Sequence, residues 1–293
     1  MYDYLIADIR LRSDKDLVEM GLRGFKPFAT ELRKSDAECT FRFVDTIDIA
    51  TFGILRTLSE SYIADSDSDS SFYATEGGYL YSIISRNKNQ QPALFYIDSA
   101  TNNVITDIKP TDAISLAVLR FGIWVMFGTV LLKHNAVAIH SSVIVAEGRG
   151  VLFLGESGTG KSTHTRLWRE NIEGAKLLND DSPIVRIVDG EVRVYGSPWS
   201  GKTPCYKNEV SPMAGLCRLS QAPHNRITRL SNLMAIGALL PSCPPIFAHD
   251  SALQDMICTT VGDIVRGTKS YHLECLPNNE AAELSYNTII RNE

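Results

Sequence analysis

The sequence has few cysteines, and none of them stand in the short spacings that metal and redox sites use. There are six in 293 residues, and no two form a CxxC pair. Zinc-ribbon and thioredoxin-type sites therefore have no support, and a chain of this length needs no disulfide staples. We predict a cytoplasmic protein with reduced, mostly structural thiols at Cys39, Cys205, Cys217, Cys243, Cys258 and Cys275.

An excess of positive charge is also missing. The chain carries 29 lysines and arginines against 34 aspartates and glutamates, for a net charge of −5. Because nucleic-acid-binding domains are normally basic, we expect no nucleic-acid partner. The N-terminus lacks a basic start followed by a long apolar run, so no secretory signal is predicted.

What the chain does contain is ordinary for a globular protein, with one exception. It is 44% hydrophobic and 22% charged, close to the usual averages, and its length suits one large domain or two smaller ones. The exception is the run 114–132, whose only charge is Arg120 and which is long enough to span a bilayer. Because strands and a nucleotide motif follow it, we predict a core helix and no membrane span.

Residues 1–110 are expected to form a smaller, β-rich N-terminal domain. The run 78–85 is rich in aromatic and β-branched residues, as strands are, and 4–11 is expected to form another strand. The stretch 99–103 is a candidate hairpin loop. The alternating aspartates and serines of 65–71 lack the glycine and the final glutamate of an EF-hand, so a solvated loop is predicted there.

A boundary is predicted at 110/111, with 111–293 as the core domain. Thr111 can cap the apolar helix, because its hydroxyl can accept a hydrogen bond from an unpaired first-turn N–H. Strands and helices then alternate, Asp189-Gly190 indicates a hairpin, and Ser231 is expected to cap a further helix. The predicted fold class is therefore α/β (α+β), with a mixed β-sheet and flanking helices.

One motif carries chemistry, a G-x-x-x-x-G-K-[ST] loop of the Walker A type. Its glycines let successive backbone N–H groups point at phosphate oxygens, and the helix after it adds a positive N-terminal end. Lys161 would reach the β- and γ-phosphates, and Ser162 would offer its hydroxyl to Mg²⁺. The apolar strand 151–154 precedes the loop, as the motif requires. The predicted nucleotide-binding residues are Gly155, Glu156, Ser157, Gly158, Thr159, Gly160, Lys161, Ser162 and Thr163.

A second element is the pair Asp180-Asp181, which ends a short apolar strand. One carboxylate can bind Mg²⁺ while its neighbour takes a proton from an attacking hydroxyl. Two close carboxylates repel, which can make one of them the better base. The alternative is a turn that caps Ser182-Pro183. The Walker A loop upstream favours the metal–phosphate interpretation.

A third element is His140, at the far end of the hairpin that enters the loop strand. The block HSSVIVAEGRGVLFLGESGTGKST, followed by LLNDD, resembles the HPr kinase/phosphorylase and phosphoenolpyruvate carboxykinase superfamily. Both of these families combine such a histidine, a hairpin with glycine at its turn, the loop and an Asp-Asp pair. The resemblance implies a P-loop-containing, phosphoenolpyruvate-carboxykinase-like core.

The resemblance also implies roles for single residues. Lys161 and Ser162 would contact phosphate and metal, and His140 would lie beside the transferred phosphoryl group or its metal. Asp180 and Asp181 would share metal binding and acid–base work. The predicted catalytic set is thus Asp180, Asp181, His140 and Lys161, and the predicted metal ligands are Ser162, Asp180 and Asp181.

The chain departs from both families outside this block. It is much shorter than a carboxykinase, and no EIRGLGI-type signature of the HPr kinases follows the aspartates. The corresponding stretch, 196–202, is either an acceptor contact or a tight turn with Trp199 in the core. The sequence as a whole is most similar to HPr-kinase-like proteins of peptide-modification clusters. Solvent-exposed positions are favoured for three residues of the helix after the loop, His164, Arg166 and Arg169. A nucleotide contact is the less favoured of two interpretations for Arg226 and Arg229.

These observations predict a Mg²⁺-dependent phosphotransferase. It would move the γ-phosphate of ATP, or of GTP, to a hydroxyl, with a serine of a peptide or small protein as the favoured acceptor. Two alternatives stay open: a nucleotide-gated binding module with little catalysis, and a small-molecule kinase. Oligomeric state, including a homo-oligomer, is not decided by the sequence.

Overall fold

The chain forms a mixed α/β protein that divides into two compact units. The computed structural model describes residues 1–31, 37–86, 91–201 and 204–291. The first unit comprises Met1–Lys133 with Ile246–Gln254, and the second comprises His134–Pro245 with Asp255–Glu293. Each is built on a large mixed sheet with helices beside it. All six cysteines are free, and four of them are buried.

The first unit is a nine-stranded sheet with one long helix. Its strand order is β3-β1-β2-β4-β9-β8-β7-β6-β5, and only the β2–β4 and β4–β9 pairs are parallel. The strands and the helix are β1 (Tyr2–Ile6), β2 (Ile9–Ser13), β3 (Ala29–Thr30), β4 (Cys39–Phe43), β5 (Ile54–Ile63), β6 (Ser68–Thr75), β7 (Gly78–Ser85), β8 (Ala93–Asp98), β9 (Asn103–Thr106) and α1 (Ala113–Lys133).

Helix α1 packs on the sheet of the first unit, so the units divide at 133/134 rather than at the expected 110/111. The ring of Phe95 on β8 lies so close to Gly122 that a Cβ there would meet it at 2.2 Å. Phe121 contacts Tyr81 of β7, with ring centroids 6.1 Å apart. The helix is long and apolar enough to cross a membrane, and 56% of its most apolar stretch is buried inside the protein.

Two predictions for the first unit were wrong. The run 4–11 is not one strand but the hairpin β1–β2, because Ala7 and Asp8 take left-handed conformations with φ of +52° and +58°. The segment 65–71 is not a solvated loop, because most of it enters strand β6. There the Ser70 hydroxyl is paired with the Ser61 hydroxyl of β5 at 2.9 Å.

The second unit is built on a nine-stranded sheet, in which seven strands follow one order and two more extend from β16. The order is β10-β14-β15-β16-β12-β11-β13, and β18 joins β16 and β17. Its strands are β10 (Ala136–Ala138), β11 (Ser141–Ala146), β12 (Arg149–Leu154), β13 (Lys176–Asp181), β14 (Ile184–Val188), β15 (Glu191–Tyr195), β16 (Val210–Gln221), β17 (Arg226–Arg229) and β18 (Lys269–Cys275). The remaining helices of the chain are α2 (Lys161–Asn171), α3 (Asn232–Leu239), α4 (Ser251–Gly267) and α5 (Asn279–Tyr286).

Helices α2 and α5 cover one face of the second sheet. Trp168 of α2 is fully buried and contacts Phe153 of β12 and Tyr286 of α5 edge-on, at 5.6 Å between centroids in both cases. Alternate residues of β11, β12, β16 and β18 join this core, including Phe153 and Cys217. The residues between them, such as Arg218, belong to the opposite face, because side chains alternate along a strand.

The order of the strands brings five chain segments to one edge of the second sheet. Strands β12, β16 and β18 run parallel, so their carboxyl ends meet there. Strand β11 runs the other way and begins at the same edge, where Ser141 stands opposite Asp181 of β13. His140, the loop after β12 and the Asp180-Asp181 pair are therefore neighbours.

Candidate functional site

The loop between β12 and α2 has a backbone that only glycine adopts easily. Gly158 and Gly160 have φ of +85° and +103°, and Gly155 has +151°. A Cβ at Gly155 would also lie 2.4 Å from the hydroxyl of Thr159. Helix α2 begins at Lys161, so the N–H groups of its first turn have no intrahelical acceptor and are free to meet an anion. We call residues 155–160 the glycine loop.

Lys161 lies across the glycine loop. Its ammonium group donates to the carbonyl of Gly155 at 2.7 Å and to that of Glu156 at 3.2 Å. A third contact, at 3.2 Å, joins it to Nε2 of His140. Partial burial lowers the pKa of Lys161 below its ordinary value, while the nearby carboxylates oppose this shift. The group that would meet a phosphate is thus held at the loop by three polar contacts.

His140 connects Lys161 to Asp181. Its Nδ1 lies 3.3 Å from Oδ1 of Asp181, and its Nε2 faces the lysine. A lysine ammonium can only donate, so Nε2 is the accepting nitrogen and the proton of a neutral ring sits on Nδ1, facing the carboxylate. Half of each of the His140 and Asp181 side chains is exposed. The structure therefore brings three predicted catalytic residues into one row of polar contacts.

Asp180 faces the first turn of α2. The hydroxyl of Ser162 donates to its Oδ1 at 3.1 Å. Within the described ranges, no three side chains of His, Cys, Asp or Glu converge to hold a metal ion by themselves. Mg²⁺, however, is commonly held by one or two carboxylates together with phosphate oxygens and water. The pair of oxygens from Ser162 and Asp180 suits that mode of binding.

The backbone at Asp181 is strained and held in place by neighbours. Its φ of +128° is rare for a residue with a side chain and costs about 1–3 kcal/mol. The N–H of Gly201 donates to the carbonyl of Asp180 at 2.8 Å. Buried Asn179 donates to the carbonyl of Trp199 at 3.0 Å and accepts from the N–H of Ser182 at 3.0 Å. These bonds hold the backbone on both sides of Asp181 in place.

Two cavities flank the glycine loop, one on each face of the sheet. The first, which we call the α2-side cavity, has a volume of about 540 Å³ and is lined by uncharged residues that include Thr163, Leu219 and Gln221. The second, the α3-side cavity, has about 470 Å³ and reaches His140, Glu156 and Arg218. The glycine loop and the catalytic row thus lie between a cavity with an uncharged lining and a cavity whose lining includes the charged side chains of Arg218 and Glu156.

Several other residues that the sequence analysis considered lie away from the catalytic row. His164 is not on a solvent-exposed face but inside the core, where burial lowers its pKa to about 4. Arg166 pairs with Glu170 on the surface of α2, and Arg226 pairs with Glu274. Trp199 is buried, as the turn interpretation of 196–202 expected. Lys202 of that stretch falls outside the described residues.

Sequence reasoning missed three residues near the loop, namely Arg218, His272 and Gln221. Arg218 stands directly opposite Leu154, the last residue before the loop, and opposite His272 of β18. Gln221 donates to the carbonyl of Gly158 at 3.2 Å. Nothing local marks these residues, because their position depends on the parallel pairing of strands that are far apart in the chain. Alternation of polar and apolar residues along β16 was the available signal.

Comparison with known proteins adds little to this geometry. No protein-family model matches the chain, and no curated protein matches it. Among solved structures, it is similar to the Hpr(Ser) kinase/phosphatase from Coxiella burnetii, with 14% sequence identity over 53% of this chain and 88% of that chain and a TM-score of 0.31. Function is therefore argued from the side chains of the site.

Proposed function

We propose that the chain is a Mg²⁺-dependent phosphotransferase that moves the γ-phosphate of ATP or GTP to a hydroxyl, with a peptide or small-protein serine as acceptor. The observation that carries the proposal is the row Lys161–His140–Asp181 beside a glycine loop, with Asp180 on Ser162. A protein that only bound nucleotide would need the loop but not this row. The motif resemblance to the HPr kinases supports the same reaction class.

Each of the reacting steps is assigned to a residue of the site. The acceptor oxygen forms a bond to the γ-phosphorus as the bond from that phosphorus to the β,γ-bridging oxygen breaks, so the nucleoside diphosphate leaves. Asp181 takes the hydroxyl proton, and the Nδ1–H of His140 keeps this carboxylate oriented. Lys161 and the N–H groups at the start of α2 stabilise the charge on the phosphoryl oxygens.

Mg²⁺ would be held by Ser162 and Asp180 together with the nucleotide phosphates. When bound, the ion neutralises phosphate charge and orients the nucleotide. The α2-side cavity would take the nucleoside, because it adjoins the glycine loop and its lining is mostly apolar. Gln221 would supply a polar contact there.

The test is the double variant Asp180→Asn with Asp181→Asn. Purified protein is mixed with γ-labelled ATP, Mg²⁺ and fractions of a host extract, after binding of ADP has been measured. We expect wild-type protein to label one fraction, and the variant to lose at least roughly 100-fold of this transfer while ADP still binds. Loss follows because no group remains to accept the hydroxyl proton.

The matched control removes two exposed carboxylates of the same unit, Asp255→Asn with Glu283→Gln. It changes the net charge equally and should transfer phosphate at the wild-type rate. If the Asp180/Asp181 variant transfers phosphate as fast as this control, the proposed chemistry is wrong. Partner binding that changes with nucleotide, without any labelled fraction, would instead indicate a nucleotide-gated binding module.

A further inference from the structure

The α3-side cavity is built next to the reacting groups and on the opposite face of the sheet from the α2-side cavity. Its floor contains Arg218 and His272, which are register partners on β16 and β18. Residues of α3 form one wall, and the glycine loop and His140 form the other. A volume of about 470 Å³ lies within the usual range for ligand pockets. A group bound here would lie beside the catalytic row.

Arg218 is the charged residue that decides what this cavity can bind. Arg218 is partly buried, and the part of the chain that the structure describes gives it no hydrogen-bond or ion-pair partner. Glu156 also lines this cavity, and His272 is hydrogen-bonded to the hydroxyl of Ser220 at 2.8 Å. A guanidinium stays charged and offers paired donors that match a carboxylate.

The remaining lining and its surroundings are apolar. Leu230, Ala238 and Pro241 contribute to the cavity, and the exposed surface continues along α3 through Met234 and Leu233, which are 60% and 80% exposed. A small metabolite would leave this outer surface unused. An extended peptide would cover it, and covering exposed apolar surface is favourable.

From this arrangement we infer that the acceptor is a peptide whose hydroxyl residue stands next to a carboxylate, and that Arg218 in the α3-side cavity binds this carboxylate. The inference rests on the proposed phosphotransferase function and names its substrate class. The carboxylate can come from an Asp or Glu side chain or from a peptide C-terminus, and both present the same group to Arg218.

The experiment uses three peptide libraries that differ only beside a fixed serine. One carries Asp at the neighbouring position, one carries Asn, and one ends at the serine with a free carboxylate. Transfer from γ-labelled ATP is measured with the full-length protein. We expect at least roughly tenfold more labelling of one carboxylate library than of the Asn library, since hydrogen bonds to charged groups are strong. Which of the two carboxylate libraries is labelled identifies the source.

Variants of the cavity make the test specific. In Arg218→Gln the preference for a carboxylate should fall to about one, and Arg218→Lys should restore part of it. A Cβ at Gly237 would have no atom within 4 Å, and Gly237 lines the cavity, so the larger side chain of Gly237→Leu has room to extend into the cavity while the fold is kept. It should raise the KM for peptide and leave ADP binding unchanged. Gly262→Leu on α4, where a Cβ would meet Nη1 of Arg266 at an ordinary 3.8 Å, is the matched control outside the cavity and should behave as wild type.

Three results would overturn the inference. The first is equal labelling of all libraries by wild-type protein. The second is an Arg218→Gln variant that loses transfer to every library equally, which would place Arg218 on the phosphoryl group instead. The third is transfer from ATP to an extract metabolite with no labelled peptide, which would keep the phosphoryl-transfer chemistry but exclude a peptide acceptor. Failure of the proposed function itself is distinguished by Asp180/Asp181 variants that transfer normally.

Discussion

At position 164 a histidine of α2 lies inside the second core, and its surroundings favour the neutral ring. Its Nε2 is 3.0 Å from the hydroxyl of Ser285, and Nε1–H of Trp168 donates to both groups. The ring of Phe153 contacts it edge-on at 4.7 Å. Because burial penalises the imidazolium, the pKa is lowered from 6.5 to about 4. A residue that sequence reasoning placed in solvent is thus a pH-sensitive part of the core.

This shift predicts how stability depends on pH. Between pH 6.5 and 4 the unfolded chain binds a proton at His164 that the folded chain does not. The free energy of unfolding therefore falls as the pH drops through this window, by roughly 3 kcal/mol from this residue. The His164→Gln variant should lose that part of the pH dependence.

Urea denaturation at several pH values between 7 and 4.5 measures the effect. Wild type and His164→Gln should differ in slope by about one proton, whereas His249→Gln, at an exposed position, should match wild type. Identical slopes for wild type and His164→Gln would show that the buried ring does not control acid stability.

At the scale of single elements, the start of α1 shows which residue caps a helix. The carboxylate of Asp112 accepts from the N–H of Ser115 at 2.9 Å, and the hydroxyl of Ser115 accepts in return from the N–H of Asp112 at 3.0 Å. This reciprocal pair satisfies two donors that the helix leaves free. The expected cap at Thr111 therefore lies one residue too early.

The cap predicts a difference between two adjacent alanine substitutions. Asp112→Ala should lower the free energy of unfolding by about 1 kcal/mol, because a first-turn N–H loses its acceptor. Thr111→Ala should change it by less than about 0.5 kcal/mol, and Asp112→Asn should restore most of the loss. Equilibrium denaturation of the three variants measures this. A Thr111→Ala variant that costs as much as Asp112→Ala would place the cap back at Thr111.

Elements whose signals are local were predictable from the sequence. The strand at 78–85 was confirmed, with bounds Gly78–Ser85. The hairpin at Asp189-Gly190 was confirmed too, with φ of +52° and +81° at its turn. The β1–β2 turn was missed because alanine rarely takes a left-handed backbone, and Asp8 without a following glycine is a weak hairpin signal. Strand β6 was missed because serine and aspartate are poor strand formers, and its stability comes from its two neighbours.

The residues of the candidate site also fall into those that a local motif reveals and those that only the fold brings to the site. The glycine loop, Asp180-Asp181 and His140 could be named from the sequence because each belongs to a short motif, although their roles stay predictions. Arg218 could not be named, since only the pairing of β12 with β16 places it beside the loop. The strain at Asp181 was also hidden, because it arises from the bonds that Asn179 and Gly201 make.

At the scale of the whole molecule, every residue that we assign to the reaction lies in the second unit. The nucleotide, the metal and the acceptor carboxylate would all bind at one edge of its sheet. The first unit keeps its own nine-stranded sheet and α1. Ligand binding should therefore stabilise the two units unequally, because a ligand stabilises the structure to which it binds.

Hydrogen exchange of the full-length protein can measure this inequality with a non-hydrolysable ATP analogue and Mg²⁺. At ligand 100-fold above its Kd, stabilisation is about 2.7 kcal/mol, and amides of the loop and helix at 155–165 and of β13 should exchange up to roughly 100-fold more slowly. Amides of β7 and α1 should be unaffected. The Lys161→Met variant is the control and should show no protection, since it removes the ammonium group that lies on the loop. Protection of equal size in β7 and α1, or none at 155–165, would contradict a nucleotide site confined to the second unit.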